Sequence, residues 1–419
     1  LNSLEREFAI GYWIAAQKLT KKSIGWLKGK EAALAIQRVV RGLSEIIVSC
    51  HIMRIPVFDW VWIDLHSLYK FSIRLNKNTT KVPDQACSYS KSVTIENTYK
   101  QIILLDLVQP KGLRQKEILQ IYRFVEKFSP SLLIEKKPIR GQKKQCVILT
   151  DEDRAPFLAE TKEFESIDSE FIFLGFAKVS VLLDQKNKLV NQGATRFSAV
   201  NIEGSNLEKL PAELVQHIES SWAGIPITGS ALFADRLDRK FSIGLAATHE
   251  LLSTIDHEPD LEFLAESASD RTLSFKSSIP GLLSIGSLIS TRKSDARETD
   301  RNCGIIRKLS MSGSGGEVLF EIQLLSKRIS AASFSEMDSE ENDELKKALF
   351  FRSDDAQDKR LYLINESFLH KNGDTIRVHL DDEDFPVAIK KRNNIGLGYW
   401  LFECKRVSEP VKGKQAEKK

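Results

Sequence analysis

The strongest constraint on this chain is a change of apolar period part-way along it. From Leu4 to about Val125 apolar residues recur three and four positions apart, as in Phe8, Tyr12, Ile14 and Ala15, then Ala33, Ile36, Val40, Leu43 and Ile47. That spacing gathers them on one side of a helix, so the segment predicts a helical bundle. Further helices are expected over Trp60 to Leu75, from near Ser92 to Val108, and over Gln115 to Phe128. After Gly229 the pattern becomes short β-prone runs divided by Gly, Ser, Asp and Pro, which predicts an all-β region.

Between the two lies a mixed stretch, Cys146 to about Trp222. Phe171 to Phe176 is strand-like by composition, whereas Leu182, Leu183 and Leu189 continue a helical spacing. Leu207 to Ser221, with Leu210, Leu214, His217 and Ile218 at helical spacing after Pro211, reads as a helix. The β region divides into two series. Strands are expected at Phe241–Leu245, Thr272–Phe275, Leu288–Ser290, Cys303–Leu309 and Val318–Leu325, the last two joined by a hairpin over Ser310 to Gly316. The second series runs through Leu361–Ile364, Asp374–Leu380, Phe385–Lys390 and Tyr399–Cys404. Each is enough for a small barrel.

The expected fold class is therefore α+β multidomain: a helical domain at 1–145, a mixed connector at 146–229, β-barrels at 230–333 and 334–409, and a disordered charged tail at 410–419. The barrels should separate near Ser330 to Asp343, where Ser, Glu and Asp dominate. Within the β region, short helical elements are expected only near Ala247–Thr254 and Asp338–Ala348.

Length and charge narrow the function classes. A chain of 419 residues exceeds one compact core, and a net charge of +4 is too small to argue for nucleic acid by itself. Five cysteines are scattered singly, without the paired spacing of zinc or redox motifs, which points to reduced thiols in a cytoplasmic protein. No run approaches the roughly 18 to 20 apolar residues of a membrane helix. The opening Leu1-Asn-Ser-Leu4, without Met, reads as cut from something longer.

Enzymatic chemistry finds little support. None of the seven histidines lies in a metal-binding spacing, and the one local cluster, His249 and His257 around Asp256 and Glu258, reads as a solvated loop. Ser312 to Gly316 lacks the Lys-Ser/Thr and the helix of a phosphate loop and reads as a hairpin turn. No nucleophile-base pair is evident, and neither a metal nor a cofactor is expected. The basic loop Lys136 to Lys144 suits RNA or an acidic partner, but no aromatic platform accompanies it, and a solvated inter-domain loop is the expectation.

What remains is Phe233-Ala-Asp-Arg-Leu-Asp-Arg-Lys240, just before the first barrel strand. Arg236, Arg239 and Lys240 suit a phosphate clamp, arginine especially, since its planar fork bonds two oxygens and its face stacks on a base. Asp235 and Asp238 among them reduce the local charge to about +1.

Together with Lys240 to Leu252, Leu264 to Asp270, Gly304 to Leu309 and Phe320 to Leu325, this segment resembles the PilZ-type receptors for cyclic di-GMP. The whole chain is similar to a large bacterial variant with an N-terminal helical region, a PilZ-like barrel and a second small β-barrel. In that family an R-x-x-x-R motif wraps the ligand phosphates and a D/N-x-S-x-x-G motif receives the base. The resemblance implies Arg236, Arg239, Lys240 and Ser267 as ligand-binding residues lining one shallow face of the barrel. The chain departs from the pattern at Lys240, at Ala265, which cannot hydrogen-bond a base, and at Asp270, which brings a carboxylate where the family has Gly. The resemblance thus implies cyclic di-GMP signalling through a weakened site, with a protein partner not named by the sequence and no nucleic acid or membrane insertion. The alternative is a scaffold or adaptor that binds no nucleotide and works through its helices and second barrel.

Overall fold

A computed structural model of the chain describes residues 2–20, 29–141, 144–160, 170–180, 210–225, 228–253, 261–276, 281–312, 316–337, 345–353, 360–381 and 383–408. The charged tail 410–419, His257 with Asp256 and Glu258, Leu182, Leu183, Leu189, the hairpin tip 313–315, and most of the element expected at Asp338–Ala348 lie outside the described residues. The chain divides into two compact units, Leu1–Ile227 and Thr228–Lys419.

The first unit is built on α1 (Asn2–Thr20), α2 (Gly29–Met53), α3 (Val61–Arg74), α4 (Ile95–Asp106) and α5 (Gln115–Glu126). Helix α2 is its axis: Ala33, Ile36, Val40, Leu43 and Ile47 are buried, and so are polar residues between them. The helix expected from Ser92 starts later. Val82–Pro83 (β1) and Ser92–Val93 (β2) pair as a short ribbon, and Thr94 caps α4 by accepting the Asn97 N–H at 3.0 Å. A fourth-turn polar cluster pins the ribbon to α2. Asp84, at the end of β1, accepts from Arg41 Nε at 3.0 Å and Nη2 at 2.9 Å, from Arg38 at 2.9 Å and from Gln37 at 2.6 Å.

Residues of the expected connector, together with others from 133–145 ahead of it, join this same core. Leu133–Glu135 (β3), Lys144–Leu149 (β4), Phe157–Glu160 (β5) and Phe171–Gly175 (β6) form an antiparallel sheet in the order β3-β6-β4-β5. The basic loop Lys136 to Lys144 is the connection between its first two strands. Ile148, Leu174 and the helix α6 (Ala212–Trp222), through Leu214 and Ile218, pack into the apolar cluster of the helices. Position 145 is therefore no boundary, because the sheet buries its inner face on the bundle rather than on a core of its own.

The second unit holds two closed six-stranded barrels, all antiparallel. In the first, Arg239–Ile243 (β7), Phe263–Ser267 (β8), Thr272–Lys276 (β9), Leu288–Lys293 (β10), Asn302–Ser312 (β11) and Glu317–Ser326 (β12) close in the order β7-β8-β9-β12-β11-β10. Its centre is aromatic: Phe241 meets Phe263, Phe275 and Phe320 at 5.1 to 5.4 Å. In the second, Ser330–Glu336 (β13), Lys346–Arg352 (β14), Leu361–Asn365 (β15), Thr375–Leu380 (β16), Glu383–Gly396 (β17) and Tyr399–Arg406 (β18) close as β13-β14-β15-β18-β17-β16 around Phe334, Phe350, Phe385 and Phe402.

Ser330 to Glu336, expected as the start of a linker, is thus a full strand of the second barrel. Its serines hide an alternation in which Ala332 and Phe334 face the core. The barrels are also not separable at that point. Leu288, Cys303 and Ile305 of the first share one apolar cluster with Leu349, Phe351 and Ile364 of the second, with Ile329 between them. Helix α7 (Leu245–Ser253) adds Leu245 to the cluster, and its His249 Nε2 lies 3.1 Å from the Ala332 carbonyl.

Candidate functional site

The segment before β7 folds back across the mouth of the first barrel. Phe233 is fully buried there, its N–H donating to the Asp270 carbonyl at 2.9 Å. Arg236 turns the chain in the left-handed region, at φ 57°, and its N–H donates to the Phe233 carbonyl at 3.0 Å. The exposed guanidinium donates to the Ala268 carbonyl at 3.2 Å. Ser267, at the end of β8, donates to the Phe233 and Ser269 carbonyls at 3.4 and 3.1 Å. Arg236 and Ser267 therefore meet at one rim, held by the same short backbone segments.

Arg239 points inward with Phe241 and is buried, its guanidinium carbon 5.7 Å from the Phe233 ring. It is already engaged: both Asp235 oxygens accept from its Nη2, at 2.6 and 2.8 Å, and the Leu237 carbonyl accepts from Nη1 at 3.0 Å. Lys293, opposite Arg239 on β10, adds a second cation to Asp235 at 3.1 Å. Burial works to raise the Asp235 carboxyl, but the bonds from Arg239 and Lys293 outweigh it and hold the group below its ordinary range.

Strand alternation places Lys240 on the other side. With Arg239 facing in, Lys240 faces out, where its Nζ lies 3.9 Å from Glu262. The structure thus brings Arg236, Arg239 and Ser267 to the barrel mouth and leaves Lys240 on the outer wall. The same rule removes Ala265 from the base-receiving position: it sits opposite Arg239 and is buried in the barrel core. Asp270 does reach the rim, half exposed, with Arg271 Nε at 3.6 Å.

Sequence reasoning missed the cluster around Glu262. Arg292 donates to it through Nε and Nη2 at 2.8 and 2.6 Å, and the fully buried Arg301 through Nη1 at 2.6 Å. Burial raises the Glu262 carboxyl, yet the two guanidiniums bring it down to about 2. Arg301 Nε then donates to Ser290 Oγ at 2.8 Å, and the hydroxyls of Ser290, Ser242 and Thr248 follow at 2.6 and 3.0 Å. Thr248 belongs to α7, so the chain of bonds fastens that helix to the barrel wall. No local motif signals it, since Arg292 lies on β10 while Glu262 and Arg301 lie just before β8 and β11, far apart in the chain.

Elsewhere His66 is buried between the Tyr99 hydroxyl and the Arg154 carbonyl, at 2.8 and 2.9 Å, and burial lowers it to about 4, a neutral core histidine. Among the described residues no three His, Cys, Asp or Glu side chains are grouped to hold a metal ion, and no helix is long and apolar enough to cross a membrane.

Residues 1–138 match the family model described as "Cyclic-di-GMP receptor FimW, N-terminal domain". The match falls on the helical region and covers about a third of the chain. A curated relative, the cyclic-di-GMP receptor FimW of Pseudomonas aeruginosa, is 23% identical over 254 residues, 60% of this chain and 40% of FimW. The chain thus spans well under half the length of FimW. Among solved structures, the K. pneumonia MrkH-c-di-GMP complex is 9% identical, covering 43% of this chain and 83% of its own, at a TM-score of 0.14 to 0.16 across the MrkH structures. Bacillus subtilis MotI/DgrA is 9% identical, covering 45% and 91%, at 0.15. Scores this low give those two likenesses no weight beside FimW.

Proposed function

We propose that the chain is a non-enzymatic bacterial signalling protein of the cytoplasm that senses cyclic di-GMP at the mouth of its first barrel. The observation that supports the reading is the likeness of residues 1–138 to the FimW N-terminal domain together with a cationic loop closed over a barrel rim. Arg236 is the first phosphate contact: its guanidinium is exposed, and a single backbone carbonyl orients it without neutralising it. Ser267 beside it offers a hydroxyl to the ligand. Arg239 joins by exchanging the Asp235 carboxylate for a phosphate, and Lys240 contributes from the outer wall as long-range charge.

Such a site binds weakly. Each charge-assisted bond withheld by an internal carboxylate removes roughly 1.5 to 3 kcal/mol, which takes a micromolar receptor toward millimolar. Calorimetric titration of the full chain with cyclic di-GMP tests the reading. Saturable binding abolished by Arg236→Ala, with Lys136→Ala unaffected, supports it. Absence of heat at millimolar nucleotide overturns it.

A second reading is favoured by the Arg239–Asp235 pair, which fills the clamp with its own acid. In that reading the chain is an adaptor that uses the barrel only as architecture and engages a partner protein through other surfaces. Nucleotide-independent partner binding, unchanged by Arg236→Ala, is its signature.

A further inference from the structure

Helix α1 is apolar on more than one side. Ala9 and Ala16 are buried against α2, where a Cβ on Gly42 would meet Ala9 Cβ at 3.3 Å. The opposite side is open, yet it carries Leu4, Phe8 and Ile14, exposed at 57%, 60% and 47%. A helix apolar on both sides is one that is covered on both sides.

Gly11 lies between these three residues on the open side, four positions after Glu7 and three before Ile14. Glycine is the poorest residue for a helix interior after proline, and among the described residues a Cβ here would meet nothing within 4 Å. The described residues of one chain therefore give no reason for a glycine. A second backbone crossing at this point does, because the missing Cβ allows close approach.

The charges say which backbone. Glu7 and Lys18 lie on the same open side, one near each end of α1, and both are exposed. Among the described residues neither has an ion-pair partner. If two copies of α1 cross antiparallel near Gly11, Glu7 of each copy falls beside Lys18 of the other. Leu4 and Phe8 then pack against Ile14 and Ala15 on both sides of the crossing. One patch supplies both halves, as a two-fold interface requires.

We propose that the Leu4, Phe8, Gly11, Ile14 side of α1 is a homodimer interface, two copies of this chain pairing antiparallel through it. The inference is independent of the nucleotide site. Light scattering on the full chain at micromolar concentration tests it. The expected result is a dimer, with Phe8→Glu and Gly11→Leu each weakening association roughly tenfold or more. Glu7→Lys should weaken it too, and Glu7→Lys with Lys18→Glu should restore it, since the swap rebuilds both bridges. Phe368→Glu, equally exposed on the second barrel, should leave the dimer unchanged. Circular dichroism keeps folding apart from association: Gly11→Ala should raise the melting temperature of a monomeric Phe8→Glu background. A monomeric wild type, or a dimer indifferent to Phe8→Glu and Gly11→Leu, overturns the proposal, including the case where another protein or another segment covers α1.

Discussion

Arg239, at the start of β7, gives both oxygens of Asp235, in the loop that closes the first barrel, a hydrogen bond at 2.6 and 2.8 Å. The carboxylate occupies the place at the guanidinium that a phosphate would take. Asp235→Ala should therefore raise the affinity for cyclic di-GMP several-fold, because it frees Arg239 and Lys293 and removes one repulsive charge. Calorimetry reads the change. Unaltered or weaker binding would make the pair a structural brace.

Glu262 sets an acid limit on the second unit. Its carboxyl falls from an ordinary 4.5 to about 2 in the folded state, so the pairing stabilises the fold fully above pH 4.5 and loses that contribution as pH falls toward 2. Urea unfolding across this window should show stability dropping with acid. Glu262→Gln should flatten the drop and, at neutral pH, cost about 3 kcal/mol, since it takes from two buried guanidiniums the carboxylate they share, while Arg292 keeps Glu298 at 3.8 Å and Arg301 keeps Ser290.

Asp84 should behave similarly in the first unit, where its side chain is wholly buried among Arg41, Arg38 and Gln37. Asp84→Ala is expected to destabilise by about 3 to 5 kcal/mol, and Arg41→Met by a comparable amount. The double variant should cost less than the sum, because neither charge is then left alone. Thermal melting of the four proteins measures the coupling.

Gly396 touches Gly286 backbone to backbone across the two barrels. A Cβ on Gly396, at φ 145°, would come within 2.6 Å of the Gly286 Cα and carbonyl oxygen, and neither can move aside as a side chain would. Gly396→Ala should lower stability by about 1 to 3 kcal/mol. A single calorimetric transition shifted downward is expected; an unshifted one would mean that the barrels adjust freely.

The sequence made the periodic parts of this fold legible. Helical spacing through Ile36, Val40, Leu43 and Ile47 located α2, and alternation with Gly and Pro punctuation located most barrel strands, because burial repeats at the period of each element. Ser330 to Glu336 defeated the reading, since serine composition suggests a linker while only Ala332 and Phe334 reveal a strand. The sheet of the first unit was obscure because its order, β3-β6-β4-β5, brings together strands that are not neighbours in the chain. At the candidate site, the motif led to the expectation that Arg236, Arg239 and Ser267 lie close together, and the fold brings the three to one barrel mouth. The outward turn of Lys240 and the burial of Ala265 depend on strand register, and Glu262 meets its arginines only through barrel closure.

The residues joining the barrels carry a last consequence. Ile329 is buried in the cluster shared by both, so the connection runs through the packing instead of around it. A slack tether between two barrels would convey only that they are near each other. A peptide threaded through their common core fixes how each is turned against the other.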